Sequence, residues 1–238
     1  MNKITRRIFV AQAAASLAAA GARAESSPAP TAQLVWKSSQ WKVADFQALV
    51  HHPARVKQVF NCTQIAGGMF LNNIKNSLNG LQFGFDIPAG QIRIAAALHG
   101  PANLLNYDDS IWSKYRIGEW LNVTDASTGK PAVRNIFYPS RHSLDAAAFA
   151  GDPDDRDSVY QDTGIQTLDA RGVQFLSCHT ATEEQARVLV ERNKLSQAPE
   201  EVVEDLLGHT LPGVLVVTSM VAAIALLQSE GRYSYINA

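Results

Sequence analysis

The feature that most constrains the fold of this chain is the alternation of short apolar runs with segments of helical spacing. Residues 91–98 (QIRIAAAL) and 213–218 (GVLVVT) are almost uninterrupted apolar runs. Runs of this kind are typical of strands that are buried on both faces of a sheet. Strands that alternate with helices along a chain predict a parallel sheet. The sequence therefore predicts an α/β fold.

The same pattern gives five strands and five helices. We expect helices on both faces of a mostly parallel five-stranded sheet, with one long insertion. The predicted strands are 56–62, 91–98, 173–177, 213–218 and 233–236. The predicted helices are 67–81, 158–170, 182–193, 199–207 and 221–229. Thr180 or Thr182 is expected to cap the helix over 182–193.

Composition narrows the range of partners. The 238 residues are 46% hydrophobic and carry a formal net charge of −1, which suits one domain with a sizeable core. The sequence has no basic patch, so it does not predict binding to nucleic acid. No glycine-rich nucleotide fingerprint follows a predicted strand, and the zinc-binding motif of zincins is missing, so we expect no cofactor. The motifs of serine hydrolases and thioredoxin-like proteins are missing as well.

The first residues have the features of an export signal. Basic residues precede an alanine-rich apolar run over 8–20, and Ala-Arg-Ala follows at 22–24. The stretch TRRIFV resembles a bacterial twin-arginine motif. The sequence thus predicts a leader over 1–24 and a periplasmic protein with no stable membrane insertion after cleavage. The periplasm also permits disulfides.

Two further segments flank or interrupt the predicted sheet. Residues 25–53 are predicted to be a linker and an N-terminal extension, and 54–238 the main domain. Within that domain, 107–157 is too long for a simple connection. Its tryptophans and tyrosines predict a subunit contact or a satellite core, with subunit contact preferred. Its aspartates at 152–157 lack the glycine and terminal glutamate of a calcium loop, so a solvated loop is expected.

Three blocks of sequence resemble the DsrE/DsrF-like family of small α/β proteins. They are 92–100 (IRIAAALHG), 172–180 (GVQFLSCHT) and 212–236, which ends in LQSEGRYSYI. The resemblance implies a flavodoxin-like three-layer sandwich whose sheet has the strand order 2-1-3-4-5, and a homo-oligomer, either a trimer or a hexamer. It also implies sulfur handling, in which a cysteine accepts sulfur as a persulfide and passes it to a sulfur-carrier or redox partner.

The chain has two cysteines, Cys62 and Cys178, each at the end of a predicted strand. Three readings remain open. Cys178 is a reactive thiol whose environment is shaped by His99 and His179, and a following helix start favours its thiolate. Alternatively, the two cysteines form a disulfide, since the implied strand order makes their strands neighbours. In the third reading, both are buried small hydrophobic residues.

A rival function is non-catalytic. In that reading the protein is an oligomeric binding or accessory protein, and a small ligand lies in the crevice at the carboxyl ends of the strands. The predicted lining residues are Asn61, Cys62 and His99. No metal is expected, because His51 and His52 lack further ligands that would converge on them.

Overall fold

The computed structural model describes residues 35–139 and 144–238, which form an α/β fold around a five-stranded parallel sheet. A separate antiparallel hairpin of two short strands, β3 and β4, lies outside that sheet. The strands are β1 (Val56–Cys62), β2 (Ile92–Leu98), β3 (Thr124–Asp125), β4 (Lys130–Pro131), β5 (Val173–Cys178), β6 (Leu215–Val217) and β7 (Ser234–Asn237). The predicted α/β class is confirmed.

The helices follow the predicted pattern in most places. They are α1 (Val43–Val50), α2 (Met69–Asn79), α3 (Asp109–Lys114), α4 (Ile117–Trp120), α5 (Ile165–Ala170), α6 (His179–Asn193), α7 (Pro199–Gly208) and α8 (Met220–Ser229). Helix α6 begins three residues earlier than predicted, directly at the end of β5, with Cys178 as its N-cap. The predicted threonine cap is therefore wrong: Thr182 lies inside the helix and donates to the Cys178 carbonyl at 3.0 Å.

The strand order of the parallel sheet is β6-β5-β2-β1-β7. Counted along the chain, the five sheet strands run 4-3-2-1-5, so the predicted order 2-1-3-4-5 is wrong. The connections from β1 to β2, then to β5 and β6, all step in one direction. Only the last connection returns across the sheet, and it places β7 beside β1. The first and third strands are thus separated by β2.

Side chains alternate between two apolar layers, as expected for strands buried on both sides. On one side, the α2 face, Phe60, Leu98 and Phe175 pack with α2, the 107–120 region, α6 and α7. On the other side, the α8 face, Val59 and Leu176 pack with α1 and α8. The sheet is therefore the middle layer of three.

The alanines of β2 suit its central position. Ala95, Ala96 and Ala97 are fully buried, and Ala95 and Ala97 belong to the α8 face. Helix α8 crosses this face and contacts β1, β2 and β5. Because alanine has a short side chain, the helix approaches the sheet closely at this point, and its own Met220, Ala223 and Leu227 fill the space.

The N-terminal extension packs on the domain. In α1, Phe46, Leu49 and Val50 are buried in the α8 face. Tyr233 holds the helix in place by donating from its hydroxyl to the Leu49 carbonyl at 2.6 Å. The predicted leader over 1–24 lies outside the described residues and stays a prediction. Within the described residues, no helix is both long and apolar enough to cross a membrane.

The aromatic residues of the insertion belong to the main core. Tyr107, Trp112 and Tyr115 are fully buried on the α2 face. Trp112 donates from its indole N–H to the Leu104 carbonyl at 3.1 Å, and the Tyr115 hydroxyl donates to Asp205 at 2.6 Å. The prediction of a subunit contact is therefore wrong for these three residues, since their surfaces are covered by this chain.

The hairpin of β3 and β4 packs against α4 so closely that Gly118 has no room for a side chain. A Cβ on Gly118 would lie 2.2 Å from the Ala132 carbonyl oxygen. We predict that Gly118→Ala lowers the free energy of unfolding by about 1–3 kcal/mol, because backbone must move to relieve the overlap. Urea unfolding of the purified variant measures this change.

Gly80→Ala is the matched control. Gly80 has helical φ, and nothing lies within 4 Å of its added Cβ. This variant should be neutral or stabilising by up to about 1 kcal/mol. Equal unfolding free energies for the two variants would contradict the close packing of the hairpin on α4.

Candidate functional site

The carboxyl ends of β5 and β6 form the topological switch of this sheet. After β5 the chain enters α6, which packs on the α2 face through Ala186 and Leu189. After β6 it enters α8, which packs on the α8 face. The two connections leave on opposite sides, and ligand sites of open α/β sheets lie in the crevice between such strands. We call this place the switch crevice.

Cys178 lies in the switch crevice as the last residue of β5. Its side chain points to the α8 face and is 5% exposed. The Met220 backbone N–H, at the start of α8, donates to Cys178 Sγ at 3.3 Å. The donor belongs to a helix N-terminus, where the backbone N–H groups carry partial positive charge. The sulfur is thus oriented by a donor, and it is also shielded from solvent.

His179 is the neighbouring side chain and begins α6. Its ring stacks on Trp36, with ring centroids 3.8 Å apart and an interplanar angle of 27°. Its Nδ1 lies 3.6 Å from Glu183 Oε1. Burial lowers the pKa of His179 from 6.5 to about 4, so the imidazole is neutral at neutral pH and forms no charged pair with Glu183.

Trp36 joins the two sides of the switch crevice. Besides stacking on His179, it accepts a hydrogen bond on its carbonyl oxygen from Thr218 Oγ1 at 3.5 Å. Thr180 Oγ1 in turn donates to the Thr218 carbonyl at 3.0 Å. Trp36 therefore contacts the start of α6, which follows β5, and the turn after β6, on either side of Cys178. Sequence reasoning missed this role, because Trp36 is far from both segments along the chain.

His99 and Asn61 form a second polar group, at the carboxyl ends of β2 and β1. His99 Nε2 lies 2.7 Å from Asn61 Oδ1, and Asn61 Nδ2 donates to Asn237 Oδ1 at 3.3 Å. Burial lowers the pKa of His99, which keeps its imidazole neutral. These contacts bring together two of the predicted ligand-binding residues.

His99 lies beside Cys178 along the sheet, but the two do not share a hydrogen bond. Leu98 pairs with Ser177, so the residues that follow each, His99 and Cys178, continue side by side. The His99 ring bonds to Asn61, and the His179 ring stacks on Trp36. Within the described part of the chain, the polar partner recorded for the sulfur is the Met220 N–H.

Cys62 lies apart from this group, on the α2 face. It is fully buried and donates from Sγ to the Phe60 carbonyl at 3.5 Å. Burial raises the pKa of its thiol far above the usual value, so this cysteine is unreactive in the folded protein. The prediction that Cys62 lines the ligand crevice with Asn61 does not fit this position, because Asn61 and Cys62 point to opposite faces.

The predicted disulfide alternative is wrong for this fold. Cys62 ends β1 and Cys178 ends β5, with β2 between them. Two strand spacings amount to about 10 Å, whereas a disulfide needs Cα atoms about 4.4–6.8 Å apart. The two side chains also point to opposite faces of the sheet. Both cysteines are free.

A buried polar network, which no sequence pattern predicted, holds the backbone around Cys178. Asn103 is fully buried, and its Oδ1 accepts from the Cys178 N–H at 2.8 Å and from Ser177 Oγ at 3.0 Å. Its Nδ2 donates to Gln185 and to Thr182. Satisfied networks of this kind rigidify their surroundings. Asn103 thus fixes the end of β5 against the start of α6.

The other candidate sites of the sequence have ordinary structural roles. Asp152 and Asp155 are exposed, and each accepts from a backbone N–H two residues ahead, as expected of a solvated loop. His52 Nδ1 accepts from the Ala54 N–H at 3.2 Å. Across residues 35–139 and 144–238, no group of three or more potential ligands could hold a metal ion.

The neutral, buried His179 predicts a pH dependence of stability. In the unfolded chain the imidazole takes up a proton near pH 6.5, whereas the folded protein resists protonation until about pH 4. Stability should therefore fall as the pH decreases from 6.5 to 4. His179→Phe keeps an aromatic ring beside Trp36 and removes the titration. We predict a shallower loss for this variant, measured by urea unfolding across that range.

His51→Gln serves as the control, since His51 is exposed at the end of α1. It should keep the wild-type slope. A slope for His179→Phe as steep as that of the wild type would contradict the burial of a neutral imidazole at this position.

Comparison with known proteins adds no assignment. No protein-family model matches the chain, and neither a curated protein nor a solved structure matches it. The α/β fold with its five-stranded parallel sheet is therefore the established property of this chain. The DsrE/DsrF-like resemblance depends on the three sequence blocks alone.

Proposed function

We propose that the protein handles sulfur through Cys178, as a carrier that holds sulfane sulfur on this thiol. The observation that carries the proposal is the 3.3 Å contact between the Met220 N–H and Cys178 Sγ at the switch crevice. A backbone donor at a helix start supports a thiolate, which is the nucleophilic form of cysteine. The DsrE/DsrF-like resemblance suggests the class of chemistry.

The proposed step is transfer of one sulfur atom from a donor persulfide. The Cys178 thiolate attacks the outer sulfur of the donor R–S–SH. A bond forms between Cys178 Sγ and that sulfur, and the donor S–S bond breaks. The products are Cys178–S–SH and the thiolate R–S⁻, so atoms, charge and electrons balance without an oxidant. Passing the sulfur to an acceptor thiolate repeats the same exchange in reverse.

Access to the sulfur requires local opening. Cys178 is 5% exposed, and Trp36 contacts His179 at the start of α6 and Thr218 after β6. The proposed carrier is therefore closed at rest, and donor or acceptor reaches the thiol when Trp36 leaves His179. A closed site protects a persulfide from stray thiols and oxidants between the two transfers.

The setting of this activity follows from the predicted leader and from the resemblance. The proposed carrier is exported by the twin-arginine route and works in the periplasm, as a homo-oligomer. Its donor is a small persulfide or the persulfide-bearing cysteine of a partner protein, and its acceptor is a small thiol or the cysteine thiol of a partner protein.

A non-catalytic binding or accessory protein is the second candidate. The burial of Cys178 favours it, because a thiol that stays covered reacts only after unfolding. In this case Cys178 and Cys62 are packing residues. The two candidates differ in the reactivity of native Cys178, which a thiol assay measures directly.

We predict that Cys178→Ser abolishes persulfide uptake by the folded protein. Incubation of the reduced protein with glutathione persulfide, followed by intact-mass spectrometry, should show one added sulfur on the wild type and none on the variant. Serine keeps the small size and polar character of the side chain but has no thiolate.

Cys62→Ala is the matched control, because Cys62 is fully buried with a raised pKa. It should take up sulfur like the wild type. If native wild-type protein takes up no sulfur and its thiols react only after denaturation, the carrier is rejected and the non-catalytic candidate is favoured.

We predict that Trp36→Ala exposes the Cys178 thiol. A stacked aromatic pair stabilises the closed state by about 1 kcal/mol, so the rate of alkylation by iodoacetamide should rise about fivefold or more. Peptide mapping after a short exposure assigns the alkylated cysteine. Val35→Ala is the control on the same segment, since Val35 is 70% exposed. Equal rates for the two variants would contradict a closing role for Trp36.

A further inference from the structure

The end of the sheet opposite the switch crevice contains a cavity of about 380 Å³. It lies at the amino ends of β2 and β5, where Ile92, Arg93 and Gly172 form part of its wall. Phe149 from the insertion and Tyr160 after it form another part. The volume lies within the range of about 300–1,000 Å³ that is usual for small-molecule sites. We call this space the arginine cavity.

Two arginines line the arginine cavity, and their recorded hydrogen-bond partners are neutral. Arg93 donates to the Gly172 carbonyl at 3.1 Å and to Gln174 at 3.3 Å. Arg171 donates to Asn79 at 2.7 Å, and its guanidinium carbon lies 5.0 Å from the centre of the Tyr160 ring. Arg93 Nε and Arg171 Nη1 are buried and have no hydrogen-bond partner.

The charge of these arginines is incompletely balanced by the chain. Among the described residues, no carboxylate lies within ion-pair distance of either guanidinium. Asp169 is near enough to act electrostatically on Arg93, and burial raises the pKa of that carboxyl. Burial also lowers the pKa of Arg171 to about 10. A buried cation is stabilised by a counter-charge.

The remaining polar groups of the arginine cavity also favour an anion. His52 lines it, and burial together with Arg93 and Lys57 lowers the His52 pKa, so the ring is neutral. Because its Nδ1 accepts from the Ala54 N–H, Nε2 carries the proton and is a donor. The aromatic rings of Phe149 and Tyr160 and the aliphatic Leu78 and Ile92 offer an apolar surface.

We propose that the arginine cavity binds a small organic anion, with an oxyanion head group on the two arginines and a flat apolar body against the aromatic wall. Guanidinium groups recognise carboxylate and phosphate through paired N–H donors. The site is independent of Cys178, since it lies at the other end of the strands. It also gives the insertion a function, which is to supply Phe149 to the wall.

Calorimetric titration of the purified protein with three probes tests this proposal. Benzoate and phenyl phosphate carry the two kinds of oxyanion head group, and benzamide has the shape of benzoate without its charge. We expect saturable binding of at least one anion, with a dissociation constant below about 10 mM, and binding of benzamide at least about tenfold weaker. The tighter of the two anions identifies the head group.

Arg171→Gln should weaken binding of the preferred anion at least about tenfold. Arg192→Gln is the control, because Arg192 is exposed in the last turn of α6, and its affinity should stay within about twofold of the wild type. The proposal is overturned if neither anion binds saturably, if benzamide binds as well as benzoate, or if Arg171→Gln binds like the wild type. Should Arg171→Gln not fold, the comparison of the wild-type affinities for benzoate and benzamide decides.

Discussion

The pairing of β2 with both β1 and β5 is the constraint on which the rest of this structure depends. Each residue of β2 from Ile94 to Leu98 is buried, and this part of the strand pairs with β1 on one side and with β5 on the other. Its alanines leave space on one face for α8, and α8 brings the Met220 N–H to Cys178. The position of the sulfur is thus a consequence of packing at the centre of the sheet.

The two ends of the parallel strands differ in chemistry. The carboxyl ends hold a cysteine, two uncharged imidazoles and amide side chains, one of which bonds to an imidazole. At the amino ends two arginines lie beside a cavity with little opposing charge. The proposed sulfur exchange and the proposed anion binding therefore have separate places on one sheet.

The fold class and the end of β5 were predictable from sequence, because both depend on local pattern. An apolar run that ends at Cys178 predicts that this residue lies at the carboxyl end of a strand, and the structure confirms it. The strand order was not predictable, since it depends on which way each connection crosses. Asn103 and Trp36 were missed because their partners near residues 177–185 and 218 are far away along the chain. The false disulfide followed directly from the wrong strand order.

The lengths of the outer strands affect how molecules of this protein can meet. Strand β6 has three residues and β7 has four, whereas β1 and β2 have seven each. Few unpaired backbone groups are therefore available for another chain to extend the sheet. Short edge strands of this kind discourage aggregation through strand addition. Association with another chain would consequently depend on side-chain surfaces of helices and turns.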